Sequence, residues 1–314
     1  MTYSYFPALR KGRKIFLMKQ SVKNLLNMVL FIVLLFINFS FLSAQTDSLQ
    51  FIYLANTNAA YENCHCGYNP LGGLDRIGHL VNEIRRKNPQ VVFIDGGDFT
   101  NSYPFDELNR LTIEIYKHLK PDIMMLADQE FQTGNRKIAP SLSKLPSFLL
   151  ASNFTFKDLP LKPVKYLSCG KAKIAVLAFL DNSSFWYVKP LPELKFFEQK
   201  FKKNFETARS SSDFQIVIFH GEEAGLSEFL HKFPAVDLIL MAHDQSQKDK
   251  LSARPPIIYA GADGEYVTLF TLRFRHRNFD SIRLTKIPVS LKVPADQKIE
   301  KIISDFKKVQ KKAN

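Results

Sequence analysis

Apolar runs alternate with amphipathic helical patterns along most of the chain. Between the strand-like runs, apolar residues recur at helical spacing, as Ile77, Leu80, Val81 and Ile84 do. The strand-like runs are rich in β-branched and aromatic residues and cover residues 49–56, 91–95, 122–127, 173–180, 214–219, 236–241 and 256–260. This alternation predicts an α/β fold with a mainly parallel sheet and helices on the outside.

The last quarter of the chain has a different pattern. Residues 266–274 alternate between apolar and polar and are followed by the similar stretch 281–290, so we expect antiparallel strands to close the domain. Residues 296–310 form a basic amphipathic helix whose apolar face carries Ile299, Ile302, Ile303, Phe306 and Val309. This helix could dock on the domain or lie on anionic lipid, and docking is the commoner arrangement.

The N-terminal segment has the order of an export signal. Met28 to Ile37 is an uninterrupted apolar run that follows Lys19 and Lys23 and ends near the small residues of "FLSAQ". We predict a signal peptide or an uncleaved N-terminal anchor over residues 1–44, one α/β domain over 45–290 and the basic helix over 291–314. The body would then be periplasmic or extracellular, and only the N-terminal segment would contact a membrane.

Charge is concentrated at the two ends of the chain. The net charge is +13, but residues 1–44 contribute +6 and residues 291–314 contribute +4, which leaves about +3 for the body. Nucleic-acid binding needs a basic face on the folded domain, so we expect no nucleic-acid partner.

Residues with metal-binding side chains follow four of the predicted strands. Asp98 lies in "DGGDF" after the second strand and Asp128 in "ADQEF" after the third; His220 and His243 follow two later strands. Ligands gather beyond the carboxyl ends of strands in open α/β sheets, so these side chains should converge. Two carboxylates and two imidazoles suit Zn²⁺, Mn²⁺ or Fe, and the pattern predicts a metal site.

The order of these motifs carries a family resemblance. From about residue 50 to 275 the chain contains, in sequence, "TNAAY", "GGLD", "GGDF", "ADQEF", "LLASN", "FHGEEAG", "MAHDQ" and "AGADGEYVT". This set resembles the calcineurin-like metallophosphoesterases, in particular their 5′-nucleotidase branch. The resemblance implies a two-sheet αββα sandwich of the metallo-dependent phosphatase type. It also implies a dinuclear metal centre that positions water for attack on a phosphate ester.

The resemblance implies one complete metal site. The family's ligands to that metal correspond here to Asp98, Asp128, His220 and His243, with Asp128 in place of an asparagine. The second metal keeps the shared Asp98 and Gln245, but its other two ligand positions hold Ala59 and Tyr61.

The catalytic position also departs from the family. The family's histidine that stabilises the transferring phosphoryl group corresponds to Gln129. Losing one metal and this histidine would cost several powers of ten in rate. The chain is therefore interpreted as an exported metal-dependent phosphoesterase with a modified centre and one or two ions. The alternative is a catalytically silent module that binds metal or a phosphate ligand, and no residue is assigned as catalytic.

A cysteine loop follows the altered positions. Cys64, His65 and Cys66 lie a few residues after Tyr61 and are candidate ligands for the second metal. The segment "CHCGYNPLGGLDR" resembles a set of exported phosphoesterase relatives that carry "CGC" before "GGLARR". A solvent-facing loop, or pairing of one thiol with Cys169, explains the cysteines equally well, and a redox or metal-handling role is a third hypothesis.

The resemblance also limits the ligand. Nucleotidases of this family usually continue into a second domain that grips the nucleoside, whereas this chain continues into one helix. We therefore expect a small phosphorylated substrate or ligand without inherited specificity for adenine.

Overall fold

The computed structural model describes residues 46–63, 70–103 and 105–313, together with Met28. The chain divides into two compact units, Met1–Gln45 and Thr46–Asn314, and the strands and helices below belong to the second. Apart from Met28, the predicted signal or anchor segment lies outside the described residues. Among the helices that are described, none has the length and apolar character needed to cross a membrane.

The larger sheet combines a parallel half with an antiparallel edge. Its strands are β1 (Thr46–Leu54), β2 (Val92–Asp95), β3 (Ile123–Met124), β4 (Phe148–Leu149), β12 (Tyr266–Arg275) and β13 (Asn278–Pro288). They follow the order β13-β12-β1-β2-β3-β4. Strands β1 to β4 are parallel, while β12 runs antiparallel to both β1 and β13. The predicted antiparallel closure is confirmed.

The second sheet is mostly parallel. Its strands are β6 (Lys165–Cys169), β7 (Ala172–Leu180), β9 (Phe214–Gly221), β10 (Leu238–His243) and β11 (Ile257–Tyr259), in the order β11-β10-β9-β7-β6. Only β6 runs antiparallel to its neighbour. A short antiparallel pair is formed by β5 (Phe154–Thr155) and β8 (Lys195–Phe196).

Alternate side chains of the second sheet enter two different cores. Val176 and Ala178 of β7 join the main core with residues of the larger sheet, whereas Leu177 joins the aromatic cluster of Phe201 and Phe229. Because side chains alternate along a strand, an all-apolar strand such as β7 must be covered on both faces. The result is the predicted two-sheet sandwich with helices outside. The helices are α1 (Leu74–Lys87), α2 (Asp106–Leu119), α3 (Asp128–Phe131), α4 (Ala139–Leu142), α5 (Glu198–Ser211), α6 (Glu223–Lys232) and α7 (Gln297–Ala313).

The C-terminal helix α7 docks on the domain. Ile299 and Ile303 are buried in the main core, and α7 contacts α1 and α2. Phe306 meets the ring of Tyr61 edge-on, with centroids 6.2 Å apart. The apolar face therefore packs on the protein, although Val309 at its end is 67% exposed. Of the two arrangements predicted from the sequence, docking on the domain is the one observed.

Candidate metal centre

Four side chains predicted as metal ligands meet at the carboxyl ends of the strands. Asp98 follows β2, Asp128 begins α3, His220 is the penultimate residue of β9, and His243 ends β10. One ligand atom from each lies within 4.8 Å of the others. The structure thus brings together residues that are up to 145 positions apart in the chain.

The histidine tautomer at this cluster indicates a cation. His220 Nδ1 lies 2.9 Å from the carbonyl oxygen of Gly96, so it carries the proton of a neutral imidazole. The other ring nitrogen, Nε2, lies 2.8 Å from Asp128 Oδ1 and 3.4 Å from Asp98 Oδ2. A lone pair cannot face two carboxylate oxygens favourably, so a proton or a metal ion is needed between them. Such a carbonyl-oriented imidazole is typical of metal-binding histidines.

His243 completes the donor set. Its Nδ1 is 3.2 Å from Asp128 Oδ1 and 3.5 Å from Asp98 Oδ2, yet this buried atom forms no hydrogen bond with the described residues. Asn56 Oδ1 accepts the backbone N–H of His243 at 2.8 Å and fixes its left-handed conformation. Two carboxylates and two imidazoles, one with an unpartnered nitrogen, fit a single divalent ion.

The pKa values reflect strong mutual attraction among these groups. Burial alone would lower the pKa of both histidines, but Asp98 and Asp128 outweigh it, raising the pKa of His220 and bringing that of His243 to about 9. Burial acts against ionisation of Asp128, yet the hydrogen bond from His220 and the positive charges of the two histidines hold its pKa below the usual range. In the metal-free protein these histidines therefore retain protons that a metal ion would displace.

A tight turn positions Asp98. Gly97 and Asp98 both have positive φ, 95° and 55°, and a Cβ added at Gly97 would lie 2.7 Å from the Cβ of Ala127. Glycine is therefore required there, while aspartate is among the residues that tolerate the left-handed region. The backbone N–H of Gln129 lies 3.3 Å from Asp98 Oδ1 and orients the carboxylate.

The Glu130 carboxylate stabilises this turn through hydrogen bonds. Its two carboxylate oxygens accept hydrogen bonds from the backbone N–H groups of Asp98, Phe99, Thr100 and Ala127 and from the Thr100 hydroxyl, at 2.9 to 3.1 Å. The carboxyl is fully buried, and this burial, together with the charge of Asp98, raises its pKa to about 7. Glu130 thus fixes the segments that carry both Asp98 and Asp128.

A cleft opens beside the four residues. It has a volume of about 690 Å³, and Asp98, Gln129, Trp186, His243 and Gln245 are among its lining residues. The structure therefore places Gln245 in the same cleft as the cluster, although it is not one of the four convergent groups. Two neighbouring aromatic residues of the loop after β7 differ in position: Trp186 lines the cleft, whereas Phe185 packs against Phe196.

Comparison with known proteins identifies the family. The model of the calcineurin-like phosphoesterase family matches residues 64–247, more than half of the chain. The chain belongs to this family. Family membership confirms the fold that the motifs imply, and a divalent metal is consistent with the donor set of the cluster.

The individual relatives that match this chain are distant in sequence and longer. A curated protein of Lutzomyia longipalpis is 23% identical over 206 residues, which are 61% of this chain and 36% of that protein. The sulfate thiohydrolase SoxB of Thermus thermophilus has a TM-score of 0.69 at 14% identity over 82% of this chain and 60% of that one. A 5′-nucleotidase precursor from Thermus thermophilus has a TM-score of 0.70 at 15% identity over 82% and 58%. The matched regions span about a third of the curated relative and about three fifths of the two solved chains.

The chain carries no ligand group of the family's kind at two positions of the resembled second metal. Ala59 is buried with a φ of 56°, and the ring of Tyr61 packs on Phe306 of α7. Gln129, at the position of the family's catalytic histidine, donates from Nε2 to Asn58 Oδ1 at 2.8 Å. Asn58 Nδ2 in turn donates to Asp263 Oδ1 at 2.8 Å. The Nε2 group of Gln129 therefore donates to another side chain of the protein.

The structure describes only some of the residues in the predictions about cysteines. Cys64, His65 and Cys66 lie outside the described residues. Cys169 ends β6 as a buried free thiol, and burial, with a smaller effect of Asp47, raises its pKa to about 11. Because reactive cysteines have lowered pKa values, Cys169 is interpreted as an inert core residue.

Tyr187 is a site residue that sequence reasoning missed. Its hydroxyl donates to Asp128 Oδ2 at 2.7 Å, while Oδ1 of the same carboxylate faces the two histidines. Its ring lies 6.4 Å from that of His243 in a stacked orientation. Tyr187 therefore orients one carboxylate of the cluster from outside it.

Replacing Tyr187 by phenylalanine should weaken metal binding. Partners that orient metal ligands typically contribute about 10- to 100-fold to affinity, so we expect roughly a tenfold rise in the metal dissociation constant, measured by calorimetry. Tyr166→Phe is a matched control, because the Tyr166 hydroxyl contacts only Ser211 Oγ on the surface of another sheet edge. Equal metal affinities of Tyr187→Phe and wild type would contradict the assigned role.

Proposed function

We propose that this chain is an exported metal-dependent phosphoesterase with a modified metal centre. Asp98, Asp128, His220 and His243 would hold one divalent ion, Zn²⁺, Mn²⁺ or Fe²⁺. The observation that carries this proposal is the convergence of one ligand atom from each of these four side chains within 4.8 Å, with His220 Nδ1 committed to the carbonyl of Gly96 and Nε2 facing the carboxylates. Export is supported by the basic, apolar and small-residue order of residues 19–44.

The cleft supports a hydrolytic role for the bound ion. A divalent ion in such a site supplies Lewis-acid stabilisation of a phosphoryl oxygen and lowers the pKa of water. The chain itself orients the donors: Gly96 fixes His220, Asn56 fixes the backbone of His243, and Glu130 fixes the Asp98 turn. Gln245, which lines the cleft, and the loop of Cys64, His65 and Cys66 are the proposed ligands of a second ion.

A specific contact favours a second candidate function. Gln129 occupies the position that stabilises the transferring phosphoryl group in the resembled family. Its Nε2 group donates to Asn58 Oδ1, so this amide hydrogen is directed toward the protein. Together with Ala59 and Tyr61, this supports a catalytically silent module that binds one metal ion and a phosphate ligand.

Turnover and metal content together separate the two functions. Full-length protein is reconstituted with Mn²⁺, Zn²⁺ or Fe²⁺ and assayed against phosphomonoesters, nucleotides and phosphodiesters. Hydrolysis of at least one class, lost on chelation, is the result expected of an enzyme. One bound ion per chain without any turnover is the result expected of the silent module and would overturn the enzymatic proposal.

The cysteine loop is tested in the same preparations. If Cys64 and Cys66 hold a second ion, the Cys64→Ser, Cys66→Ser double variant should lose about one metal ion per chain. Cys169→Ala is the control, because Cys169 is a buried free thiol at the end of β6. Unchanged metal content in the double variant would exclude these thiols as ligands.

A further inference from the structure

The cleft beside the four residues is acidic. Among the described residues that line it, four carry carboxylates and none is lysine or arginine; the carboxylates belong to Asp98, Glu222, Asp244 and Asp263. Phosphate sites commonly use arginine or lysine to balance the charge of the ligand. The charge of this cleft is therefore opposite to that required by a polyanionic substrate.

A bound metal ion would not reverse this charge. Asp98 and Asp128 together balance the two positive charges of a divalent ion, and the imidazoles of His220 and His243 are neutral when they act as ligands. Glu222 adds a carboxylate 3.4 Å from His243 Nε2. Charges a few ångströms apart interact by several kcal/mol at an effective dielectric constant of about 20, so each additional negative charge on a ligand is disfavoured.

An aromatic surface lies in the same cleft. Trp186 is 75% exposed and meets Tyr187 edge-on, with ring centroids 5.1 Å apart. Five lysine or arginine side chains lie over aromatic rings in the described part of the chain, and none of these rings is Trp186. Tryptophan is the strongest of the aromatic side chains in attracting a cation to its face.

The buried amide of Gln129 adds an independent sign of a ligand. Gln129 lines the cleft, is only 5% exposed, and its Oε1 has no hydrogen-bond partner among the described residues. The Asp263 carboxylate accepts from Asn58 Nδ2, so Asn58 Oδ1 must face Gln129 Nε2. This order leaves an acceptor, and not a donor, unpartnered at Gln129. An acceptor favours positive charge nearby and disfavours an anionic oxygen.

We propose that the cleft selects a phosphate diester whose alcohol carries an alkylammonium group. The diester presents one negative charge to the metal site, and the ammonium is attracted by the face of Trp186 and by the carboxylates of Glu222, Asp244 and Asp263. Recognition of the phosphate end of this substrate rests on the proposed phosphoesterase function. The attraction of the ammonium group is a binding property and holds for an enzyme or for a silent module.

The test compares two diesters that differ in the ammonium group. The probes are p-nitrophenyl phosphorylcholine and ethyl p-nitrophenyl phosphate, both monoanionic at phosphate, with adenosine monophosphate as a dianionic probe. Calorimetry on metal-loaded, full-length protein measures binding, and release of p-nitrophenolate measures hydrolysis. Cation–π attraction and the carboxylates should make the choline ester bind about tenfold tighter than the ethyl ester, and adenosine monophosphate should bind most weakly.

Variants assign this preference to the cleft. Trp186→Ala should reduce the preference for the choline ester to about twofold or less, whereas Phe197→Ala should retain it. Phe197 is a control of similar kind, because it is a half-exposed aromatic residue outside the cleft. Equal binding of the two diesters, or no binding of the choline ester, overturns the substrate class. Preferential binding without release of p-nitrophenolate supports the substrate class and counts against the enzymatic function alone.

Discussion

Asp98→Asn is expected to abolish tight metal binding while the protein stays folded. Asp98 Oδ2 faces both histidines of the cluster, at 3.4 Å from His220 Nε2 and 3.5 Å from His243 Nδ1. Partners of metal ligands already contribute about 10- to 100-fold to affinity, so loss of a direct anionic ligand should raise the dissociation constant more than ~100-fold. Calorimetric titration of the chelated protein measures this effect.

Asparagine is the appropriate substitute because of the backbone. Asp98 has a φ of 55°, a conformation that asparagine adopts at a lower energetic cost than alanine. Asp158→Asn is a matched control, since Asp158 has a φ of 66° in an exposed loop away from the cluster. Both variants should melt within a few degrees of the metal-free wild type. Metal binding by Asp98→Asn with wild-type affinity would show that Asp98 is not a ligand.

Glu130→Gln is expected to lower the free energy of unfolding more than Asp98→Asn or Tyr187→Phe. Five donors converge on the Glu130 carboxylate, and a glutamine would turn an NH₂ group toward some of them. Buried N–H groups without an acceptor cost about 1–3 kcal/mol each, so we expect the free energy of unfolding at pH 8 to fall by roughly 3 kcal/mol. Urea denaturation of the metal-free protein measures it, with the exposed Glu107→Gln as control.

The same variant should change the pH dependence of stability. The pKa of Glu130 is raised from 4.5 to about 7, so the folded protein binds this proton more tightly than the unfolded chain. Stability from this group is therefore present below pH 4.5 and is lost as the pH rises to about 7. Glu130→Gln cannot titrate and should show a shallower decline in this window. An unchanged slope would indicate that Glu130 does not titrate there.

The sequence was sufficient to predict the layers of the fold and the four convergent residues. Continuous apolar runs such as β7 require cover on both faces, and this requirement alone implies a sandwich. Asp98, Asp128, His220 and His243 were found because the carboxyl ends of parallel strands meet at one edge of a sheet. The third strand was predicted too long: only Ile123–Met124 pair with neighbours, because Met125 to Ala127 leave the sheet to begin α3.

The supporting residues could not be found in this way. Glu130 contacts backbone N–H groups about 30 positions earlier, and Tyr187 contacts a carboxylate 59 positions earlier. Neither interaction depends on periodicity or on strand ends, and any acidic or aromatic residue of a loop has the same local pattern. The hydrogen bond from Asn58 to Asp263 likewise joins two loops that are distant in sequence.

Ala59 occupies a backbone conformation of the first loop that an aspartate or asparagine would suit better. A left-handed alanine is about 1–2 kcal/mol less stable than one in the right-handed region, and aspartate and asparagine are the usual non-glycine occupants. An aspartate introduced at this position would therefore need no remodelling of the main chain. The ring of Tyr61 packs on Phe306 and so supports the C-terminal helix. Replacing Tyr61 by a metal-binding residue would therefore also require a new packing partner for Phe306.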